Sequence, residues 1–163
     1  MTCRSHNPGK IDFFCDIELG TLSSELVSQL EQAGCEVFDH IEDGYISVIE
    51  KSYGLNWMVD FYFEDDVLDE ISMGVVCKDM RNKAEGNVTK IDQIIRELGK
   101  QGKIKLLYGD TDVVYESEDA WGLETRVHTY STPDKLITVS RTLQNGQVWV
   151  LISDGNDRWM NNI

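Results

Sequence analysis

The chain has 163 residues, of which 41% are hydrophobic and 27% charged, so it is long enough for one globular domain with its own core. Its 29 acidic and 15 basic residues give a net charge of −14, which argues against nucleic acid or an anionic membrane as the partner. No apolar stretch is long enough to cross a bilayer and no secretion signal is recognisable, so we expect a cytoplasmic protein whose four cysteines are free thiols.

The N-terminal part predicts a flexible lead, a strand and a helix. Residues 1–10 have no period and are expected to precede a single domain over residues 11–163. Apolar and acidic residues alternate from Ile11 to Leu19, the period of a half-buried strand, although Phe14 breaks the alternation. Apolar residues then recur at helical spacing from Leu22 to Ala33, and the glycine that follows can cap a helix.

Three strands are predicted next, as an antiparallel meander. β-branched and aromatic residues dominate from Tyr45 to Ile49 and from Trp57 to Phe63, with a turn at Gly54 and Asn56 between them. The acidic run 64–66 predicts a tight reversal into a further strand that ends near residue 75.

The second half repeats this order. A polar connector over residues 78–86 leads to a helix through Val88 to Leu98, for which Asn87 or Thr89 is the expected cap. Asn145 and Gly146 predict a hairpin between the last two strands. The predicted strands are 104–108, 113–116, 123–130, 136–143 and 148–152.

These elements predict an α+β fold with antiparallel sheet and two helices, because consecutive strands joined by short loops pair antiparallel. Residues 11–77 and 88–153 both contain a helix, strands and a closing hairpin. This similarity suggests a degenerate tandem αβββ repeat, with coincidence as the alternative.

Two acidic runs are the candidate partner-binding sites, and solvated turns are the alternative interpretation of both. A tryptophan beside the second run is a reasonable anchor for a basic partner. The candidate residues are Glu64, Asp65, Asp66, Asp69, Glu70, Asp110, Asp112, Glu118, Asp119 and Trp121.

Basic residues concentrate between Lys78 and Lys105. We expect this basic segment to dock on the acidic face of the same chain, or on that of a dimer mate.

No pattern predicts a cofactor or a metal. Cys3 and His6 lack the second ligand pair of a structural zinc site, and phosphate-binding glycine motifs do not occur. His40 and His128 are in principle an acid and base pair, but no nucleophile motif accompanies them.

The leading hypothesis is therefore a cytoplasmic module that neutralises a basic protein partner, most concretely a bacterial toxin-immunity protein. A chaperone for a secreted effector is the second hypothesis, and a metal-dependent hydrolase or nuclease is the third. No motif connects the chain to a particular family.

Overall fold

A computed structural model of the chain describes residues 9–75, 84–115, 123–142 and 147–154. Within these ranges, helix α1 (Ser23–Gln32) and helix α2 (Ala84–Lys100) each precede four strands. None of the helices described is long and apolar enough to span a membrane. The strands are β1 (Phe38–His40), β2 (Tyr45–Ser52), β3 (Leu55–Glu64), β4 (Val67–Val75), β5 (Lys105–Tyr115), β6 (Leu123–Ser131), β7 (Leu136–Thr142) and β8 (Gln147–Ser153).

All eight strands form one antiparallel sheet in the order β1-β2-β3-β4-β8-β7-β6-β5. The predicted α+β class is confirmed. Each half is a helix followed by four strands. In the first half this is one strand more than predicted, because the short strand β1 has no sequence period of its own, and in the second half it is one fewer than the five predicted. The halves join through β4 and β8, from the pair Ile71–Ile152 to the pair Gly74–Trp149.

The strand predicted over residues 11–19 is wrong, since this segment forms turns. The Asp12 carboxylate accepts a hydrogen bond from the backbone N–H of Phe14 at 2.9 Å, and its carbonyl accepts one from Asp16 at 2.8 Å. The turn lets both Phe13 and Phe14 enter the core, which a strand would not allow because adjacent side chains would point to opposite faces. The break in the alternation at Phe14 was therefore the informative signal.

Helix α2 begins earlier than predicted. Its first residue is Ala84, so Asn87 and Thr89 lie inside the helix and do not cap it. Ala84 and Glu85 are good helix formers, which explains why the helix extends over them. Helix α1 keeps its predicted position, and its buried residues Leu26 and Leu30 face the core.

The turns between β2 and β3 and between β3 and β4 each consist of two residues with positive φ, as type I′ turns require. Tyr53 and Gly54 have φ of 52° and 79°, and Asn56 belongs to β3. Asp65 and Asp66 have φ of 51° and 65°, which confirms the predicted acidic reversal. The turn predicted around residues 145 and 146 lies outside the described residues, although β7 and β8 pair as expected.

In the second half, β5 is one strand where two were predicted. Its pairing with β6 shifts register twice, between Leu106 and Tyr108 and between Tyr108 and Thr111. These shifts interrupt the apolar alternation without reversing the chain.

The core lies between the helices and one face of the sheet. Trp57, Phe61 and Met73 are fully buried there, in the same cluster as Leu30 of α1 and Ile94 of α2. Trp57 donates its indole N–H to the Ser52 carbonyl at 3.0 Å, so its polar atom is satisfied. The opposite face of the sheet, called here the open face, carries side chains that remain exposed.

Candidate functional site

The acidic turn between β3 and β4 has a structural as well as a surface role. Glu64, Asp65 and Asp66 are exposed, as predicted for a binding site or a solvated turn. The Ser23 hydroxyl, however, donates to the Asp66 carboxylate, and the Ser23 N–H donates to the Asp66 carbonyl at 3.0 Å. Asp66 therefore anchors the start of α1, and it is not simply available to a partner.

Asp69 and Glu70, the other two residues of the first acidic run, have different neighbours. Partial burial and the nearby Asp154 carboxylate raise the pKa of Asp69. Glu70 lies opposite Tyr62 on the open face. The run is thus dispersed over a turn, a strand bulge and a sheet face.

The second predicted run is not brought to the first. Asp110 and Asp112 fall within β5, at the sheet edge, with three strands between β5 and β4. Glu118, Asp119 and Trp121 lie outside the described residues. Among the residues that the structure describes, no three His, Cys, Asp or Glu side chains are grouped to hold a metal ion.

The strand registers instead gather other carboxylates beside the β3–β4 turn. The end of β1, the start of β2, the end of β3 and the end of β8 all lie at one end of the sheet. We call this the acidic end. Its exposed carboxylates include those of Glu42, Asp43, Glu64, Asp65, Asp66 and Asp154.

The structure describes part of the predicted basic segment. Lys90, Arg96, Lys100, Lys103 and Lys105 are all exposed, and Lys90 donates to the Gly54 carbonyl at 3.2 Å. The segment 78–83 lies outside the described residues.

The open face carries large apolar side chains that reach solvent. Cross-strand partners project to the same face of a sheet, so the register places these side chains together. Ile49 pairs with Met58, Met58 with Gly74, and Gly74 with Trp149, which forms one row across four strands. Ile49 is 53% exposed, Met58 45% and Trp149 49%.

The indole of Trp149 covers Gly74. A methyl group built on Gly74 would be 2.6 Å from Cζ3 and 2.8 Å from Cη2 of the indole, closer than atoms can approach. Glycine at this position therefore allows the indole to form part of the surface while covering the backbone, and a larger residue would have to displace the ring.

A second row crosses the same face and contains a carboxylate. Phe38 pairs with Ser47, Ser47 with Asp60, and Asp60 with Ser72. The Ser47 hydroxyl donates to Oδ1 of Asp60 at 2.5 Å. Asp60 is half-buried, and its cross-strand neighbours are both serines.

Three rings form a third row beside Asp60. The rings of His40 and Tyr45 stack with centroids 4.7 Å apart and an interplanar angle of 22°. Tyr45 also contacts Tyr62, with centroids 5.7 Å apart. Burial, then the Asp60 and Glu70 carboxylates, raise the pKa of Tyr62, which places negative charge on both sides of this ring.

Together the three rows form a groove of about 440 Å³ on β1, β2 and β3. Its lining combines aliphatic, aromatic and hydroxyl groups with a single carboxylate. The lining residues are Phe38, His40, Tyr45, Ser47, Ile49, Met58, Asp60 and Tyr62.

His40 and His128 do not form the acid and base pair considered from the sequence. His40 is on the open face, whereas His128 pairs with the buried Val139 and contacts Arg141 on the helix side. Arg141 is buried, and its Nε lies 2.6 Å from Oδ1 of Asp92 in α2. This second polar cluster holds α2 to the sheet.

Sequence reasoning missed the groove and the exposed indole. It placed the anchoring tryptophan at Trp121, which lies outside the described residues, and not at Trp149. The available signal was that β2 and β3 carry large apolar residues at both odd- and even-numbered positions, which face opposite sides of the sheet. Examples are the neighbours Val48 and Ile49, and Met58 and Val59. Apolar side chains on both faces indicate a strand that is covered on both sides or that binds something on one of them.

No family model, curated protein or solved structure significantly matches the chain, so its function is inferred from the geometry of the open face and of the acidic end.

Proposed function

We propose that this chain is a cytoplasmic protein-binding module that neutralises a basic partner, and that the open face of the sheet is the interface. A toxin-immunity protein is the most concrete form of this function. The observation that carries the proposal is the row of half-exposed side chains Ile49, Met58 and Trp149 on the face opposite the helices.

The composition of this face supports a protein interface. Interfaces have an apolar, often aromatic centre, and a few such residues provide most of the binding energy. Phe38 and Tyr62 lie in the two neighbouring rows of the same face and are 41% and 38% exposed. Singly scattered apolar residues need no explanation, but contiguous ones on one sheet face do.

The acidic end supports the basic character of the partner. Its carboxylates border the open face at the ends of β1, β3 and β8. A rim of one sign accelerates encounter with an oppositely charged surface and makes association depend on salt. A basic toxin domain fits both the apolar centre and this rim.

The test is a pull-down from the native host at low salt, with the product of the neighbouring gene as a candidate, followed by calorimetric titration of the recovered partner. We expect a basic protein whose activity is suppressed by this chain. Ile49→Glu, which places a charge in the centre of the open face, should weaken binding at least tenfold. Leu107→Glu is the matched control, since Leu107 is 51% exposed on the edge strand β5, and it should leave the affinity unchanged.

Two outcomes would contradict the proposal. Equal effects of Ile49→Glu and Leu107→Glu would show that the open face is not the interface. Capture of an unfolded secreted substrate by a dimer would favour the chaperone function.

A further inference from the structure

We propose that the groove on β1, β2 and β3 receives an arginine side chain of the partner, with the guanidinium paired to Asp60 and stacked on the ring of Tyr62. This inference rests on the proposed function, because it names the chemical group that the open face recognises. It adds a defined subsite to a surface otherwise described only by its apolar and acidic character.

The Asp60 carboxylate is placed to accept a cation. Ser47 occupies Oδ1, and among the described residues no group donates a hydrogen bond to Oδ2. The groove lining contains neither lysine nor arginine, and its one histidine, His40, stacks on Tyr45 and makes no hydrogen bond to Asp60. A half-buried carboxylate without a cationic neighbour favours a ligand that supplies one.

The rings beside Asp60 favour arginine over lysine. A guanidinium is planar and weakly hydrated, so it stacks on aromatic faces while donating two parallel hydrogen bonds to a carboxylate. An ammonium ion is more strongly hydrated and binds as a point charge. Tyr62, two residues from Asp60 on β3, supplies an aromatic ring beside that carboxylate, and the row of Ile49 and Met58 offers apolar contact to the methylene stem.

The size and the surroundings of the groove agree with this occupant. Its volume of about 440 Å³ is near the lower end of the range for ligand pockets, about 300–1,000 Å³. It suits one long side chain better than a helix or a strand. A second depression adjoins it at His40 and is lined by Asp39, Glu42 and Asp43, which keep the local potential negative.

The experiment is a titration of the ¹⁵N-labelled full chain with the blocked peptide acetyl-Gly-Arg-Gly-amide, followed by amide chemical shifts. Lysine and citrulline versions of the peptide serve as comparisons. A fragment of this size should bind with a dissociation constant of about 1–10 mM. We expect shifts at Tyr45, Ser47, Asp60 and Tyr62, several-fold weaker binding of the lysine peptide, and no binding of the neutral citrulline peptide.

Two substitutions test the carboxylate and the ring separately. Asp60→Asn should weaken binding of the arginine peptide about tenfold. Oδ1 of the new amide still accepts the hydrogen bond from Ser47, so the fold is kept. Tyr62→Leu should reduce the preference for arginine over lysine. Asp43→Asn removes the same charge outside the groove and should change the affinity less than twofold.

Amide chemical-shift changes only at residues outside the groove would overturn the arginine site. Equal losses of peptide affinity in Asp60→Asn and Asp43→Asn would overturn it as well. Equal binding of the arginine and lysine peptides would also overturn it. If these results occurred while Ile49→Glu still abolished partner binding, the arginine site alone would fail. If Ile49→Glu had no effect on the partner, the proposed function itself would fail.

Discussion

Replacing either partner of the ion pair between Asp92 of α2 and Arg141 of β7 should reduce stability, but by unequal amounts. The Arg141 side chain is 5% exposed and the Asp92 side chain is 45% exposed. Asp92→Asn removes the counter-charge and leaves a buried cation, whereas Arg141→Met removes the cation and leaves a carboxylate that water already reaches. We therefore expect the change at the more exposed residue to be the more damaging one.

The magnitudes follow from burial and hydrogen bonding. Removing one partner of a fully buried pair costs about 3–5 kcal/mol, and the exposure of Asp92 reduces this to about 2–3 kcal/mol for Asp92→Asn. Arg141 also donates to His128 Nδ1 at 2.9 Å and lies 3.5 Å from the Tyr130 hydroxyl. Arg141→Met loses these contacts but keeps the apolar stem, so we expect a loss of about 1 kcal/mol.

Urea unfolding followed by circular dichroism measures both free energies of unfolding. The double variant should be close to Arg141→Met alone, because no buried cation remains for the lost carboxylate to stabilise. A cost for Arg141→Met equal to or above that of Asp92→Asn would refute this reasoning, since it would mean that Arg141 contributes by packing and not by needing a counter-charge.

Two further changes test particular contacts. In Gly74→Ala the new methyl group should displace the indole of Trp149, which would be seen as a shift of the indole N–H resonance. The free energy of unfolding should change by less than about 1 kcal/mol, because alanine is favoured over glycine in a strand. An unchanged resonance would show that the ring does not rest on Gly74. Burial, and next the Asp12 carboxylate, raises the pKa of the Cys15 thiol from 9.0 to about 11. The stability that the neutral buried thiol contributes is therefore complete below pH 9 and is lost as the pH rises through 11. In urea unfolding between pH 9 and pH 11, Cys15→Ala should lose less stability than the parent, and identical pH profiles would contradict the assignment.

Much of the fold could be predicted because local patterns coincide with local structure. The apolar positions of α1 and the alternation in β3 match their burial. The segment around Asp12 could not be predicted from its period, because the turn depends on bonds of that carboxylate to the Phe14 N–H and to the Tyr53 hydroxyl at 2.6 Å. The second of these bonds joins residues far apart in the sequence.

The candidate site was harder to predict than the fold. Charge is visible in a sequence, so the run at Asp65 was identified, and its turn is where the sequence places it. The open face depends on which side of the sheet the helices cover and on the registers that bring Asp60 beside Ser47 and Met58 beside Gly74. Neither is encoded in the period of a single strand.

The joining of the two halves through β4 and β8 has a consequence for synthesis of the chain on the ribosome. The strand β4 is complete at Val75, but its partner β8 ends at Ser153, after all of α2, β5, β6 and β7. Because translation adds about 5–20 residues per second, β4 remains for several seconds with one unpaired edge and an incomplete core. That interval exposes the nascent chain to misassociation with its neighbours on the same messenger RNA, so the solubility of this protein in the cell should depend on how fast its second half is translated.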